Sequence, residues 1–351
     1  MKVITVVGAR PQFVKAAVVS RALQNLGIEE ILVHTGQHFD ANMSEVFFKE
    51  MQIPKPTYNF DIHGVNHGAM TGRMLEKIEE VILDEKPQVL LVYGDTNSTL
   101  AGALAAKKLH VPVAHVEAGL RSFNMQMPEE VNRILTDRIS TILYTPTKQA
   151  GKNLSAEGYD NFDIEIECVG DVMLDAALFY AAQLEDKKVE KDFFLCTLHR
   201  AENTDDLNRL KSLIVGLNQI HQHTKVILPL HPRTKAVIEK HNLNLEVETI
   251  APMGYLEMIA KLKNCLGVIT DSGGLQKEAF FFKKPCITMR DQTEWVELID
   301  NGYNVLVSAN TKQLVKEAAA VKQKKLNFDK KLYGEGDAGM KIAKSLKRHF
   351  G

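Results

Sequence analysis

Cysteine is sparse and unpatterned in this chain. Cys168, Cys196, Cys265 and Cys286 form no CxxC pair and no metal-ligand spacing, so buried thiols in a reducing cytosol are expected, not disulfides or zinc. No charge of one sign prevails. With 43 basic against 44 acidic side chains, the formal charge of −1 offers nucleic acid or an anionic membrane no global field to follow. Long apolar runs are missing as well: the opening MKVITVVGARPQ carries only Val3–Val7, too short for a signal core or a bilayer span. These absences point to a soluble, cytoplasmic protein whose anion sites are local. Neither GxGxxG nor Walker spacing occurs, which argues against a dinucleotide dehydrogenase and a P-loop ATPase.

What is present is an alternation. At 351 residues and 45% hydrophobic content, the chain is long enough for two domains with their own cores. Short apolar runs recur at Val3–Val7, Ile31–His34, Val89–Tyr93, Val111–Val116, Ile164–Val169, Phe193–Leu198, Val226–Leu230, Leu245–Ile250, Leu266–Thr270, Cys286–Met289 and Asn304–Val307. Segments of helical period separate most of them, for example Phe13–Leu26, His67–Leu83, Thr99–Leu109 and Leu207–His221. The reading is α/β: two Rossmann-like domains, each a parallel sheet covered on both faces. No repeat, low-complexity tract or Gly/Ser linker marks the boundary. It is placed within Glu157–Asp171, giving domains 1–168 and 169–337, with a C-terminal helix 338–351 packing back. Ile342, Leu346 and Phe350 give that helix its apolar stripe, and the Tyr333–Asp337 loop before it is expected to be mobile.

Two strand-loop-helix corners stand out. VITVVGARPQFVK carries Arg10 and Lys15 at the opening of a helix, and VITDSGGLQKEAFFF places Ser272, Gly273 and Gly274 at the opening of another. Helix N-termini at the carboxyl ends of parallel strands present free N–H groups to anions. Glu278, one turn into the second helix, suits a ribose diol better than a phosphate.

Asp95 and Glu117 follow neighbouring strands in LLVYGDTNSTL and VAHVEAGLRSF, and therefore reach one crevice. Each also has a plain reading, Asp95 as an Asx turn or helix cap and Glu117 as a structural partner of Arg121 or His115. Glu129 and Glu130 open a helix after Pro128, where acidic residues favour the dipole. His199 and Arg200 follow the strand Phe193–Leu198. His34 and His38 straddle a strand end and a glycine turn, so no metal site is read there.

In order, GARPQFVKAA, HTGQH, YGDTNSTLAGALAA, VAHVEAGLRS, PEEVNRILTD, TLHRAEN, LHPRT and TDSGGLQKEA followed by KPCITMRDQTE span nearly the whole chain. Together they resemble the non-hydrolysing UDP-N-acetylglucosamine 2-epimerases. The resemblance implies a glycosyltransferase-B architecture with the active site in the interdomain cleft, a UDP-sugar substrate and no cofactor. It assigns Arg10 and Lys15 to the nucleotide phosphates, and Asp95, Glu117 and Glu129 to proton handling. It puts His199 on the diphosphate, Ser272, Gly273 and Gly274 in a phosphate loop, and Glu278 on the ribose. The apolar content of helices such as His67–Leu83 would suit a homodimer.

Three departures from the family pattern matter. GARPQ replaces the usual GTRPE, so Gln12 stands where an acid is common. Phe39 stands where the regulatory arginine belongs, which questions substrate-activated allostery. Met258 takes the place of a phenylalanine near the uracil. The first two, with RSFNMQMPEE and RDQTEWVEL, are more similar to the branch acting on UDP-2,3-diacetamido-glucuronate, for which Arg290 or Lys277 would be the reader of the C6 carboxylate. Rival readings are a transferase of the same fold, a hydrolysing epimerase and a non-catalytic nucleotide-sugar sensor.

Overall fold

Strands apolar on both faces need cover above and below, and the chain supplies it by sending a helix back after nearly every strand. A computed structural model describes residues 1–37, 52–184 and 190–351. They divide into two units, Met1–Ala176 with Lys331–Gly351, and Ala177–Lys330.

The first unit carries β1 (Lys2–Val7), β2 (Glu29–His34), β3 (Tyr58–Asn59), β4 (Val89–Tyr93), β5 (Val113–Val116), β6 (Ile142–Thr145) and β7 (Glu165–Cys168). They pair in the order β3-β2-β1-β4-β5-β6-β7, every pairing parallel. The covering helices are α1 (Arg10–Asn25), α2 (His67–Glu85), α3 (Asn97–Lys108), α4 (Pro128–Ile139) and α5 (Lys148–Ala156), with α6 (Val172–Gln183) leading into the second unit. Ala101, Ala103, Ala105 and Ala106 of α3 are buried with Ile4, Val6, Leu90, Val92, Met74 and Ile78, and their small side chains let α3 lie close on β1 and β4.

The second unit carries β8 (Phe194–Thr197), β9 (Val226–Pro229), β10 (Glu248–Ile250), β11 (Gly267–Thr270), β12 (Cys286–Thr288) and β13 (Asn304–Leu306), in the parallel order β10-β9-β8-β11-β12-β13. Its helices are α7 (Ala201–Thr204), α8 (Leu207–His221), α9 (Pro232–Lys240), α10 (Tyr255–Asn264), α11 (Gly273–Phe281), α12 (Val296–Asp300) and α13 (Thr311–Val321). Leu213, Leu217, Leu228, Ile269, Ile287 and Leu314 fill one face. In each sheet the winding direction reverses beside the first strand, between β1 and β4 and again between β8 and β11. That is where an open parallel sheet leaves a crevice at its strand ends.

The last helix, α14 (Ala338–Phe350), belongs to the first unit. Ile342 and Leu346 are fully buried, the Tyr144 hydroxyl lies 3.0 Å from Ser345 Oγ, and Gly339 N–H donates to Asp175 Oδ1 at 2.8 Å. Several expectations need correction. At the start of the Tyr333–Asp337 loop, Tyr333 is 1% exposed and its carbonyl accepts the Asp171 N–H at 2.9 Å, while Glu335 and Asp337 are exposed. Cys168 is exposed because it ends an edge strand. The strand β6 shows no long apolar run, because the hydroxyl residues Thr141 and Thr145 flank its short Ile-Leu-Tyr core, although all four of its residues are buried. The strand-helix series also runs past Val307 into α13, whose Leu314 and Ala318 seal the second core. Among the described residues, no helix is long and apolar enough to cross a membrane.

Candidate active site

At the β1 corner, the backbone enters α1 through Gly8 and Ala9, and Gln12 occupies the third helical position. Its Oε1 accepts the Gly8 and Ala9 N–H groups at 2.8 and 3.0 Å, the reciprocal half of a capping box. Its Nε2 donates to the Tyr93 carbonyl at 2.7 Å and to Thr96 and Thr99 Oγ1 at 3.0 Å each. One buried amide thus ties the β1 loop to the β4 loop, a task that needs both an acceptor and a donor.

That tie sets Lys15 against Glu117, whose Oε2 takes a direct ion pair from Lys15 Nζ. Glu117 is 8% exposed and has φ +71°, a left-handed conformation that costs a non-glycine residue energy and is concentrated at functional sites. Gly94 faces it at φ +62°; a β-carbon there would lie 3.4 Å from Glu117 Oε2 and 3.8 Å from Lys15 Nζ, so glycine keeps the pair accessible. The ion-pair partner seen for Glu117 is Lys15. Arg121 instead binds Asp137 at 2.7 Å and Glu157 at 2.7 Å. His115 sits between Asp137 Oδ1 and the Gly94 carbonyl, 2.7 Å from each. Burial would push the Asp137 carboxyl up, but His115 and Arg121 outweigh it and hold it below the ordinary range.

Asp95 is partly buried, and its Oδ2 meets Arg133 Nη2 at 2.5 Å. Loss of solvent pushes its pKa above the ordinary aspartate value; Glu117 adds to the rise, while Arg133 and Lys15 oppose it. A raised carboxyl in a cavity wall is a candidate proton carrier. Arg133 Nη1 also pairs directly with Glu130. Glu130 is wholly buried and accepts the N–H groups of Ser122 at 3.0 Å and Phe123 at 2.7 Å. Burial would raise its pKa, yet those N–H groups and Arg133 bring it below the usual value. Glu129, one residue earlier, is exposed. It lines a cavity of about 230 Å³ with Ala9, Gln12, Lys15, Asp95, His67 and Asn97, among others.

The second unit assembles a different set. The fully buried Asp271 accepts the His199 and Arg200 N–H groups at 2.9 Å each through Oδ2, and its Oδ1 lies 3.2 Å from His199 Nδ1. Burial lowers the His199 pKa, and Asp271 only partly restores it. Ser272 caps α11, its Oγ accepting the Leu275 N–H at 3.4 Å, and Gly273 and Gly274 form the first helical turn. Gly274 is exposed and nothing lies within 4 Å of where its β-carbon would be, which leaves room for a bulky anion at this N-terminus. Glu278 is 8% exposed on the same helix. Met258 packs against the core cluster that contains Phe193, Leu262 and Leu275.

The two residues named for the C6 carboxylate both sit among other groups. Lys277 is 3% exposed with its Nζ 4.1 Å above the Trp295 ring, and Arg290 is committed to Glu294 at 3.0 Å and Glu202 at 3.6 Å. His38 and Phe39 lie outside the described residues. Among the described residues, Glu165, Glu167 and His349 come close enough to hold an ion, but Arg348 already occupies Glu167 at 2.6 Å.

A model of the UDP-N-acetylglucosamine 2-epimerase family matches residues 21–347. The chain belongs to that family. It is 59% identical over 351 residues to the UDP-2,3-diacetamido-2,3-dideoxy-D-glucuronate 2-epimerase of Pseudomonas aeruginosa, covering 99% of both chains. Among solved structures it matches the UDP-GlcNAc 2-epimerase of Methanocaldococcus jannaschii in complex with UDP-GlcNAc and UDP, at 43% identity and TM-score 0.90 over 99% of this chain and 100% of that one. The Neisseria meningitidis enzyme bound to UDP-GlcNAc matches at 28% identity and TM-score 0.88, over the same shares. The fold is accordingly of the glycosyltransferase-B type, with two doubly wound α/β units.

Within this family member, sequence reasoning missed Arg133, Asp137, Asn132 and the constructive role of Gln12. Glu130 and Arg133 at i,i+3 spacing on a helix were a usable signal. The Asp137 contacts join strands and helices far apart in sequence and left none.

Proposed function

We propose that the chain is a non-hydrolysing 2-epimerase of a UDP-2-acetamido sugar, with UDP-2,3-diacetamido-2,3-dideoxy-glucuronate as its preferred substrate. The observation that carries the reaction is the group of Lys15, Asp95, Glu117 and Arg133 at the ends of β1, β4 and β5, with Glu129 at the cavity wall. The preference for the uronate is supported by 59% identity to the P. aeruginosa enzyme, against 43% to the M. jannaschii one.

The C2–H of an N-acetylhexosamine has no neighbouring carbonyl, so a carboxylate cannot remove it directly at a useful rate. Breaking C1–O first, or together with C2–H, solves this. The bonding pair leaves with the UDP oxygen, the oxocarbenium-like carbon acidifies C2, a carboxylate takes the proton, and a C1–C2 double bond forms. Return of a proton to the opposite face of C2 and of the UDP oxygen to C1 inverts the centre. Asp95, with its raised pKa and its Arg133 partner, and Glu117, paired with Lys15, supply two carboxyl groups in unlike surroundings, one to give a proton on one face and one to take it on the other. In the second unit, the N–H groups that open α11, with His199 held beside them by Asp271, suit a diphosphate, and Glu278 suits a ribose.

We place the enzyme in the cytoplasm, as a homodimer, supplying sugar nucleotides for surface polysaccharide. Incubation with the diacetamido-glucuronate and with UDP-N-acetylglucosamine, read by NMR and chromatography, tests the assignment. The uronate is converted faster, to its C2 epimer with UDP attached. Equal rates would remove the substrate preference, and free UDP with a released sugar would show a hydrolase.

A further inference from the structure

We infer that His67 is a specificity-determining residue that donates its Nε2–H to an N-acyl carbonyl oxygen of the sugar, its tautomer fixed by a line of amides starting at the Asp95 backbone. This deepens the reading just given and rests on it.

The line can be followed atom by atom. The Asp95 carbonyl is only an acceptor, so the Asn132 side-chain atom 3.0 Å from it is Nδ2. The same Nδ2 lies 3.3 Å from the Asn97 side chain, which must therefore turn its Oδ1 that way. Both Asn132 hydrogens are then used. Asn97 Nδ2 consequently points the other way, 3.1 Å from His67 Nδ1 and 3.5 Å from the Met70 sulfur, a second acceptor. A donor facing Nδ1 leaves that nitrogen its lone pair, so the ring hydrogen sits on Nε2. A proton on Nδ1 would oppose the Asn97 N–H group. Asn97 is buried at 6% exposure and Asn132 likewise, so neither amide turns over without breaking two bonds.

His67 opens α2 on the rim of the same cavity that Asp95, Lys15 and Glu129 line. An imidazole held in this tautomer presents one directional N–H donor at Nε2. Carboxylates and phosphates are best taken by cations and forked guanidinium groups; a neutral N–H is matched to a neutral oxygen, and a 2-acetamido sugar offers its amide carbonyl. Because the line ends on the backbone of Asp95, the donor and the catalytic carboxyl are held in fixed register.

Two measurements test this. Nitrogen-15 NMR of the histidine rings in the unliganded protein is expected to show His67 as the Nε2–H tautomer, and Asn97→Asp, which replaces the donor by an acceptor, is expected to move the proton to Nδ1. An Nδ1–H tautomer in the wild type overturns the proposal whatever the enzyme turns over. Steady-state kinetics then compare UDP-2,3-diacetamido-2,3-dideoxy-glucuronate with its N-trifluoroacetyl counterpart, a weaker acceptor. His67→Phe is expected to raise KM for the natural substrate roughly three- to tenfold, with little change in kcat, and to abolish the discrimination between the two sugars. Unchanged KM, or discrimination that survives the substitution, contradicts it. If neither sugar is converted by the wild type, the epimerase reading has failed while the tautomer result still stands alone.

Discussion

Arg133 holds the candidate proton carrier Asp95 at 2.5 Å with one arm of its guanidinium and grips the wholly buried Glu130 with the other. The fork opposes the rise that burial imposes on the Asp95 carboxyl. It also links Asp95 to the Ser122–Phe123 backbone through Glu130.

Arg133→Lys keeps the charge and loses the fork. Weaker opposition from this cation raises the Asp95 pKa further, so the acid limb of the kcat/KM profile is expected to move to higher pH. Turnover should fall roughly ten- to a hundredfold, within the range of one positioned acid or base. An unshifted limb would separate Arg133 from the titration of Asp95.

Glu117→Gln leaves Lys15 without its counter-charge and removes one proton carrier. Turnover is expected to drop by about 10²–10⁴-fold while UDP affinity, measured by calorimetry, stays within a few-fold. A large loss of affinity with normal turnover would make the pair a binding element.

Gln12→Glu puts a carboxylate against the Tyr93 carbonyl, which Gln12 now meets with an N–H at 2.7 Å. An ionised group there loses its donor in a buried place, and a cost of about 1–3 kcal/mol is expected at neutral pH. Thermal unfolding at pH 7 measures it. The penalty shrinks as the pH falls and the new acid binds a proton.

Asp175 anchors the start of α14, and burial, its largest influence, pushes its carboxyl up to about 6. Since the folded value exceeds that of the unfolded chain, this group's contribution is fully present below the unfolded pKa and fades as the pH rises through about 6. Asp175→Asn, which still accepts the Gly339 N–H, is therefore expected to be more stable than wild type at pH 8, by about 1–3 kcal/mol, and similar to it below pH 4. Denaturant unfolding at the two pH values checks the sign.

The parallel α/β plan was legible because its signals are local: apolar runs, glycine turns and helical period. Asp95, Glu117 and the Ser272 corner were legible as residues just past strand ends. Their partners were not. Lys15 reaches Glu117 across 102 positions and Arg133 reaches Asp95 across 38, and only the winding of the sheet brings those loops together. Tyr333 is a similar case: the burial of its side chain and the Asp171 N–H that its carbonyl accepts join segments far apart in sequence.

The most direct measurement is deuterium entry at sugar C2 during turnover in heavy water, read by NMR on the recovered UDP-sugars. Removal of the C2 proton by a carboxyl of the first unit predicts one deuterium at C2 in both epimers, with UDP still attached and exchange nearly lost in Glu117→Gln. Epimerisation that keeps protium at C2 would contradict the mechanism outright.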